Sequence, residues 1–265
     1  MRRPMQHMLR LGGLALLAAS FVTVAAQASA EEGLPAFIKP LAADAPKPPA
    51  DPHDLRGMWL NYSRTPAQIL TAEGRPPPFT PAAAAARAIK ARAAASGKPL
   101  VNNAVMCRPP GFLWVLGLYF PVRIMQEQDA LHFIFERFHT VWQIALDSSP
   151  SPGPASYLGH STGRWQGNTL EVESSGFRGE QWLDDLGTLV SPAAQLKTRI
   201  NKRAGGMELE VQTTIDDPQT YTSPWITRQV LHWRPDYLVL SEHDCEETGG
   251  TAEDAEKFGY TTVSP

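Results

Sequence analysis

Apolar and polar residues alternate along much of the chain after residue 130. The runs Leu131–Arg137 and His139–Leu146 follow each other closely, and in Thr169–Glu173 the apolar residues Leu170 and Val172 alternate with acidic ones. Such alternation is typical of strands with one buried and one solvated face. Similar runs at residues 194–201, 207–215, 225–234 and 237–243 bring the prediction to roughly eight to ten short strands.

One segment has the signals of a helix. Thr80 and Pro81 precede a run that is mostly alanine and ends at Gly97. Thr is a good N-cap, Pro fits the first helical turn, and Gly terminates helices. We therefore predict one short helix on the N-terminal side of the strands. Its alanine side chains bury little area, so it is expected to lie across the surface of the sheet or over its mouth.

The turns between the runs favour an all-β fold. A Ser/Pro/Gly loop at residues 150–154, Gly205–Gly206 and Arg234–Asp236 separate successive strands. Strands that alternate with long helices are missing from the pattern, which disfavours an α/β fold. The residues alone thus predict an antiparallel barrel or sandwich.

The first 30 residues have the pattern of a secretory signal peptide. Basic residues at Arg2, Arg3 and Arg10 precede an apolar run, and Ala28–Ala30 forms a small-x-small cleavage site. The apolar run is short for a membrane anchor. We expect a mature chain that starts at Glu31, has no membrane span, and is periplasmic or extracellular.

Composition and charge define the rest of the organisation. Residues 31–53 are rich in Pro and Ala and predict an extended tether, followed by a barrel domain at 54–250 and a C-terminal tail at 251–265. Residues 1–30 contain three Arg and no acid, so 21 of the 24 basic residues remain against 27 acidic ones. This acidic balance disfavours nucleic acid as a partner. The sequence has no cofactor motif and does not define an oligomeric state.

The chain has two cysteines, Cys107 and Cys245, and both fall in the part predicted to be exported. Thiols are oxidised in such compartments, so a single disulfide between them is predicted. A pair of free thiols or a reactive cysteine is the alternative that the residues leave open.

Two motifs carry a family resemblance. The first is GHSTGRWQGNTLEVESSGF at residues 159–177, and the second is Asp216-Asp217-Pro218 followed by Tyr221 and Trp225. They resemble an uncharacterised family of secreted bacterial proteins with a GHSxGxWEGDTL-like motif, a W-x-D segment near G-x-P-H-S, and a DDPxxYTxPW motif. The resemblance covers residues 107–247 and implies a single antiparallel, lipocalin-like β-barrel, without implying an activity.

Three positions depart from the family pattern. Gln166 and Asn168 replace acids by their amides, and Val190 stands where the pattern has His. If the chemistry of the family needs two histidines, this chain has lost one of them.

His160 and Asp184 are the candidate catalytic residues. His160 lies in a Gly-rich turn, and an imidazole can carry or accept a proton near neutral pH. Asp184 follows Trp182 in a loop that could bring its carboxylate to His160. The short Gly turns near His160 predict one pocket for His160, Trp165, Trp182 and Asp184. The alternatives are that His160 caps backbone groups and that Asp184 forms an Asx turn.

Aromatic residues and one acid are the candidate ligand-binding residues. Trp165, Trp182, Tyr221 and Trp225 could form walls for a flat apolar ligand, although core packing is the default for such rings. Glu136 could be an interior charge, and a solvated position is the alternative. The histidines lack the spacing of a metal-binding motif, so no metal site is predicted.

These observations favour a secreted, lipocalin-like protein that binds a small hydrophobic or aromatic molecule in a barrel pocket. Lyase or isomerase chemistry through His160 and Asp184 is an additional hypothesis. The competing interpretation is an interaction module of the cell envelope that has no catalytic activity. Whether the protein is an enzyme stays open at the level of sequence.

Overall fold

The computed structural model describes residues 38–62, 68–97, 108–148, 153–179 and 181–238. The predicted signal peptide, both cysteines and residues 239–243 of the strand predicted at 237–243 lie outside these residues. None of the described helices is long and apolar enough to span a bilayer.

Nine strands close into one barrel, in chain order. The predicted all-β fold with a single barrel is confirmed. Eight of the nine neighbouring pairs are antiparallel, and the exception is the parallel pair of β4 and β5. The strands are β1 (Gly57–Asn61), β2 (Pro121–Gln126), β3 (Ala130–Phe135), β4 (Val141–Leu146), β5 (His160–Gln166), β6 (Thr169–Ser175), β7 (Gln195–Arg203), β8 (Glu208–Asp216) and β9 (Trp225–Trp233).

The alternation in the sequence becomes the two faces of the barrel wall. In β8, for example, the inward-facing positions hold Thr213 and the apolar residues Leu209, Val211 and Ile215, all buried, and the residues that alternate with them are partly exposed. Burial of such side chains contributes about 1.5–3 kcal/mol each. β5 and β6 are joined by a tight turn in which Gly167 has φ +57°, a left-handed conformation that glycine adopts without strain.

Helix α1 (Pro81–Ala95) begins and ends as its sequence predicts. The Thr80 hydroxyl accepts a hydrogen bond from the amide of Ala83 at 3.3 Å, which caps the first turn. Gly97 follows the helix with φ +74°, the conformation that ends many helices.

Helix α2 (Phe112–Leu116) is not predicted by the sequence, and it lies inside one end of the barrel. All five of its residues are buried, and Phe112 stacks on Trp142 of β4 at 4.1 Å. The side-chain amide of Asn61 donates to the Leu116 carbonyl at 2.8 Å, and Gln229 likewise donates to the Leu113 carbonyl at 2.9 Å. Because these partners point inward from β1, β4 and β9, α2 fills lumen space at this end. Short 3-10 turns at Arg137–His139 and Ala204–Gly206 are the other helical elements among the described residues.

Residues 38–53, predicted as a tether, are hydrogen-bonded to the opposite end of the barrel. The Trp233 indole donates to the Pro46 carbonyl at 2.7 Å, and Lys202 Nζ donates to the Pro49 carbonyl at 2.8 Å. His53 Nε2 lies 2.8 Å from the carbonyl oxygen of Gly167. This segment therefore closes the barrel end that α2 does not occupy.

Candidate functional site

A groove of about 290 Å³ lies between one face of α1 and two loops, and it is called the helix groove below. Its helical wall consists of Ala82, Ala83, Ala86, Arg87 and Lys90. The opposite wall consists of Phe79 and residues of the two loops: Gly187, Thr188, Leu189, Ser191, Gln219 and Thr220. The groove therefore combines small and apolar side chains with neutral polar side chains from the loops and two cations.

Asp184 organises the first of these loops. Its side chain is fully buried, and one carboxylate oxygen accepts hydrogen bonds from the amides of Leu186 and Thr188 at 3.0 and 2.9 Å. The other oxygen accepts from the Thr188 hydroxyl at 2.7 Å and from the amide of Ile69 at 3.0 Å. The Arg87 guanidinium lies 3.9 Å from the same oxygen. Asp184 thus forms the turn that the sequence left as an alternative, and it also joins three segments of the chain.

A second buried carboxylate, Asp217, joins the two loops to each other. It accepts hydrogen bonds from the amide and hydroxyl of Ser191 at 2.7 and 2.6 Å. The Tyr221 hydroxyl donates to the Leu189 carbonyl at 2.9 Å. Burial, reinforced by the Asp217 and Asp184 carboxylates, raises the pKa of Tyr221 far above its usual value, so the phenol stays protonated and keeps this bond. Asp217 and Tyr221 of the second motif therefore hold the Leu189–Ser191 part of the groove wall in place through hydrogen bonds.

Arg87 and Lys90 are one helical turn apart, and both are held in fixed positions. Arg87 Nε donates to the Thr188 hydroxyl at 3.1 Å, and the guanidinium lies 5.4 Å from the Phe79 ring. Lys90 Nζ donates to the Gly187 carbonyl at 3.2 Å. Burial lowers the pKa of Lys90, and the Asp184 carboxylate opposes that shift.

The structure does not join His160 to Asp184. No hydrogen bond connects the two side chains; instead, His160 Nε2 lies 2.9 Å from the Pro154 carbonyl oxygen. The imidazole fits against Gly153 and Gly176, where an added Cβ would come within 2.6 and 3.0 Å of it. His160 also lines a separate groove of about 410 Å³ beside the short pairing of β4 and β5. Its contacts match the alternative in which the imidazole caps a backbone group.

Trp165 and Trp182 also have separate surroundings. Trp165 is five residues from His160 along β5, or about 16 Å at the rise of a strand, and its ring lies 4.5 Å from the His53 ring. Trp182 is buried against Trp114 of α2. The four residues expected to line one pocket are thus distributed over different parts of the molecule.

The other predicted ligand-binding residues lie outside the helix groove. Tyr221 and Trp225 are 2% and 4% exposed, and their rings meet edge to face at 5.2 Å in the core. Glu136 directly follows β3 and begins the 3-10 turn. The roles proposed for these residues from the sequence stay predictions.

Two sets of residues with unusual surroundings were not singled out by sequence reasoning. One is the pair Arg87 and Lys90, whose i, i+3 spacing on an alanine-rich helix was the available signal. The other is His232, whose ring stacks on Tyr62 at 3.9 Å beside a groove of about 540 Å³. Burial lowers the pKa of His232, and the nearby Glu208 carboxylate opposes the shift.

Within the described part of the chain, no group of three His, Cys, Asp or Glu residues is arranged to hold a metal ion. Searches against protein-family models and against curated proteins found no match. The family resemblance read from the two motifs therefore stays a prediction.

Proposed function

We propose that the protein is an exported binding protein whose helix groove takes a small molecule with an apolar body. The observation that carries this proposal is the wall chemistry of the groove: alanines, Phe79 and Leu189 offer apolar surface, and Arg87 and Lys90 supply fixed polar contacts. Small-molecule sites commonly combine a mostly apolar lining with a few well-placed polar groups.

The helix groove is a better candidate than the lumen. In an eight-stranded lipocalin barrel the lumen holds the ligand, whereas here Phe112, Leu113 and Leu116 of α2 join the inward side chains in one buried cluster. A groove of about 290 Å³ is at the lower end of ligand-site volumes. We therefore propose a ligand with about one or two rings, or a short aliphatic chain.

We propose binding without catalysis. The carboxylates of Asp184 and Asp217 are buried, and protein donors occupy their oxygens. A general base must have a lone pair within reach of the substrate. The bonding of these two groups supports a structural role, and the contacts of His160 do not supply the partner that lyase or isomerase chemistry was expected to use.

Export is part of the proposal and has its own test. The basic residues, apolar run and small-x-small site before Glu31 support cleavage there. Intact-mass analysis of protein recovered from the periplasm or medium should give the mass of residues 31–265. Recovery of the chain with residues 1–30 attached to membranes would contradict export as a cleaved protein.

Binding is tested with two matched variants of α1. Ala85 and Ala86 are both exposed on α1, but only Ala86 lines the helix groove. Ala86→Phe should fill the groove, and Ala85→Phe should leave it open. The probe is the fluorescence of the neutral apolar dye N-phenyl-1-naphthylamine, alongside mass spectrometry of molecules extracted from natively purified protein.

We expect dye binding and a co-purified molecule with the natural sequence and with Ala85→Phe, and loss of both with Ala86→Phe. Equal binding by the two variants would place the ligand elsewhere. No binding by any form, with no co-purified molecule, would favour the interaction module that lacks a small-molecule site.

A further inference from the structure

We propose that the Lys90 ammonium makes the helix groove selective for small molecules that carry a carboxylate. This inference rests on the proposed function, because it concerns the ligand of the same groove. It adds a chemical class: an apolar body attached to a single negative charge.

Lys90 is positioned before any ligand arrives. Gly187 has φ +73°, and a Cβ at that position would come within 2.3 Å of Lys90 Cδ, so the lysine stem lies directly against the glycine backbone. The ammonium is 4.8 Å from the centre of the Trp182 ring and bonds the Gly187 carbonyl. A side chain held in this way loses little further conformational freedom when it binds an anion.

The Lys90 ammonium has more N–H donors than it has hydrogen bonds to the described residues. A lysine ammonium has three N–H donors, and among the described residues only the Gly187 carbonyl accepts a hydrogen bond from Nζ. The Trp182 ring offers a cation–π contact but no oxygen. Two donors on a partly desolvated cation therefore lack a protein acceptor in the described part of the chain.

The nearby acids do not neutralise Lys90 through a direct ion pair. Asp184 turns its oxygens towards Ile69, Leu186 and Thr188, with Arg87 as its closest cation. Asp185 is exposed over part of its surface, and the burial of the rest, together with the adjacent Asp184 charge, raises its pKa. A ligand carboxylate at Lys90 would restore the interactions that the ammonium lost on leaving water.

The groove favours a carboxylate over a more highly charged group. Arg87 donates through Nε to Thr188, and its guanidinium is already balanced by the buried Asp184 carboxylate 3.9 Å away, so Lys90 is the cation of the groove that has no such ion pair. Two N–H donors match the two oxygens of a carboxylate, whereas a phosphate dianion brings three acceptor oxygens and a second charge. The apolar wall of Ala82, Ala83 and Phe79 would hold the rest of the ligand.

The test compares two ligands of nearly equal shape, 3-phenylpropionate and 3-phenylpropionamide, by isothermal titration calorimetry. The natural protein should bind the acid about tenfold or more tightly than the neutral amide, as a charge-assisted hydrogen bond requires. Lys90→Met keeps the length of the side chain and should remove this preference, mainly by weakening the binding of the acid. Lys90→Gln serves as a second variant, and circular dichroism and thermal melting verify that each variant folds.

The matched control is Lys197→Met, because Lys197 is an exposed lysine on β7 outside the helix groove. It should retain the preference for the acid. Equal binding of acid and amide by the natural protein, or an unchanged preference in a folded Lys90 variant, would overturn the inference and leave the proposed groove intact. If neither ligand binds and Ala86→Phe does not change binding of the dye, the proposed function is wrong, and so is the inference that rests on it.

Discussion

Replacement of Asp184 by Asn gives the sharpest test of whether this residue is structural. One side-chain oxygen of the asparagine can still accept from the amides of Leu186 and Thr188. The new amide group then stands where the second oxygen accepted from Ile69 and from the Thr188 hydroxyl. The hydroxyl can rotate, but the Ile69 amide keeps its direction and meets another donor.

The size of the effect follows from these bonds. A hydrogen bond to a charged group contributes about 1.5–3 kcal/mol, and a buried donor without an acceptor costs about 1–3 kcal/mol. The Arg87 guanidinium, 3.9 Å from the lost oxygen, also loses its counter-charge. We expect Asp184→Asn to lower the free energy of unfolding by about 3–4 kcal/mol, which for a domain of this size lowers Tm by about 6–16 °C.

Scanning calorimetry measures this change, and Asp185→Asn is the matched control. Asp185 is exposed, and its raised pKa means that its surroundings disfavour the charge, so its replacement should leave Tm unchanged or slightly higher. A Tm for Asp184→Asn within about 2 °C of the natural protein, the range of ordinary surface substitutions, would refute the structural assignment of Asp184.

Two other predictions concern Gly187 and His232. Gly187→Ala should lower the free energy of unfolding by about 1–2 kcal/mol, because a φ of +73° strains a residue that has a Cβ and the new Cβ displaces Lys90. Urea unfolding measures this change. Titration calorimetry should show that the variant has lost the preference for 3-phenylpropionate over the amide. His232 has a pKa below 6.5 in the folded state, so the unfolded chain takes up its proton first. Its contribution to stability is therefore present above about pH 6.5 and falls as the pH drops. Between about pH 8 and 5, the free energy of unfolding should depend less on pH in His232→Gln than in the natural protein. An identical pH dependence of the two proteins would contradict this assignment.

Local signals explain what the sequence could predict. The cap at Thr80 and the terminator at Gly97 depend on residues within a few positions, and the structure has α1 between them. The alternation of apolar residues in β6 and β8 likewise reports which side of the wall is buried.

Helix α2 and the helix groove depend on partners that are distant in the chain. The apolar run Phe112–Leu116 is too short for its periodicity to separate a helix from a strand, and Asn61 and Gln229 bond its carbonyls from 55 and 116 residues away. Asp184 could be predicted to form a turn, but its bond to Ile69 spans 115 residues. The fold class was therefore predictable, and the arrangement of loops around α1 was not.

The single parallel pairing has a consequence for how the barrel could be divided. Strand directions alternate around a closed antiparallel sheet, so nine strands can close only if at least one neighbouring pair is parallel. The parallel pair divides the barrel into an arc of β1–β4 and an arc of β5–β9. The two arcs meet along two short edges. At one edge Ile144–Leu146 pairs with Ser161–Gly163, and at the other Trp59–Asn61 pairs with Leu231–Trp233. Within each arc every strand pairs with the next strand in chain order, but the pairing of β1 with β2 spans the segment that contains α1 and α2. Short-range pairings such as β7 with β8 form faster than such long-range ones.

Pairing of β1 with β9 joins the first and last strands of the barrel. The amides of both short edges should exchange with solvent before those of the long β7–β8 pairing. A cut between residues 148 and 153 would leave each arc complete on its own fragment. The two fragments should reassemble into a barrel when mixed.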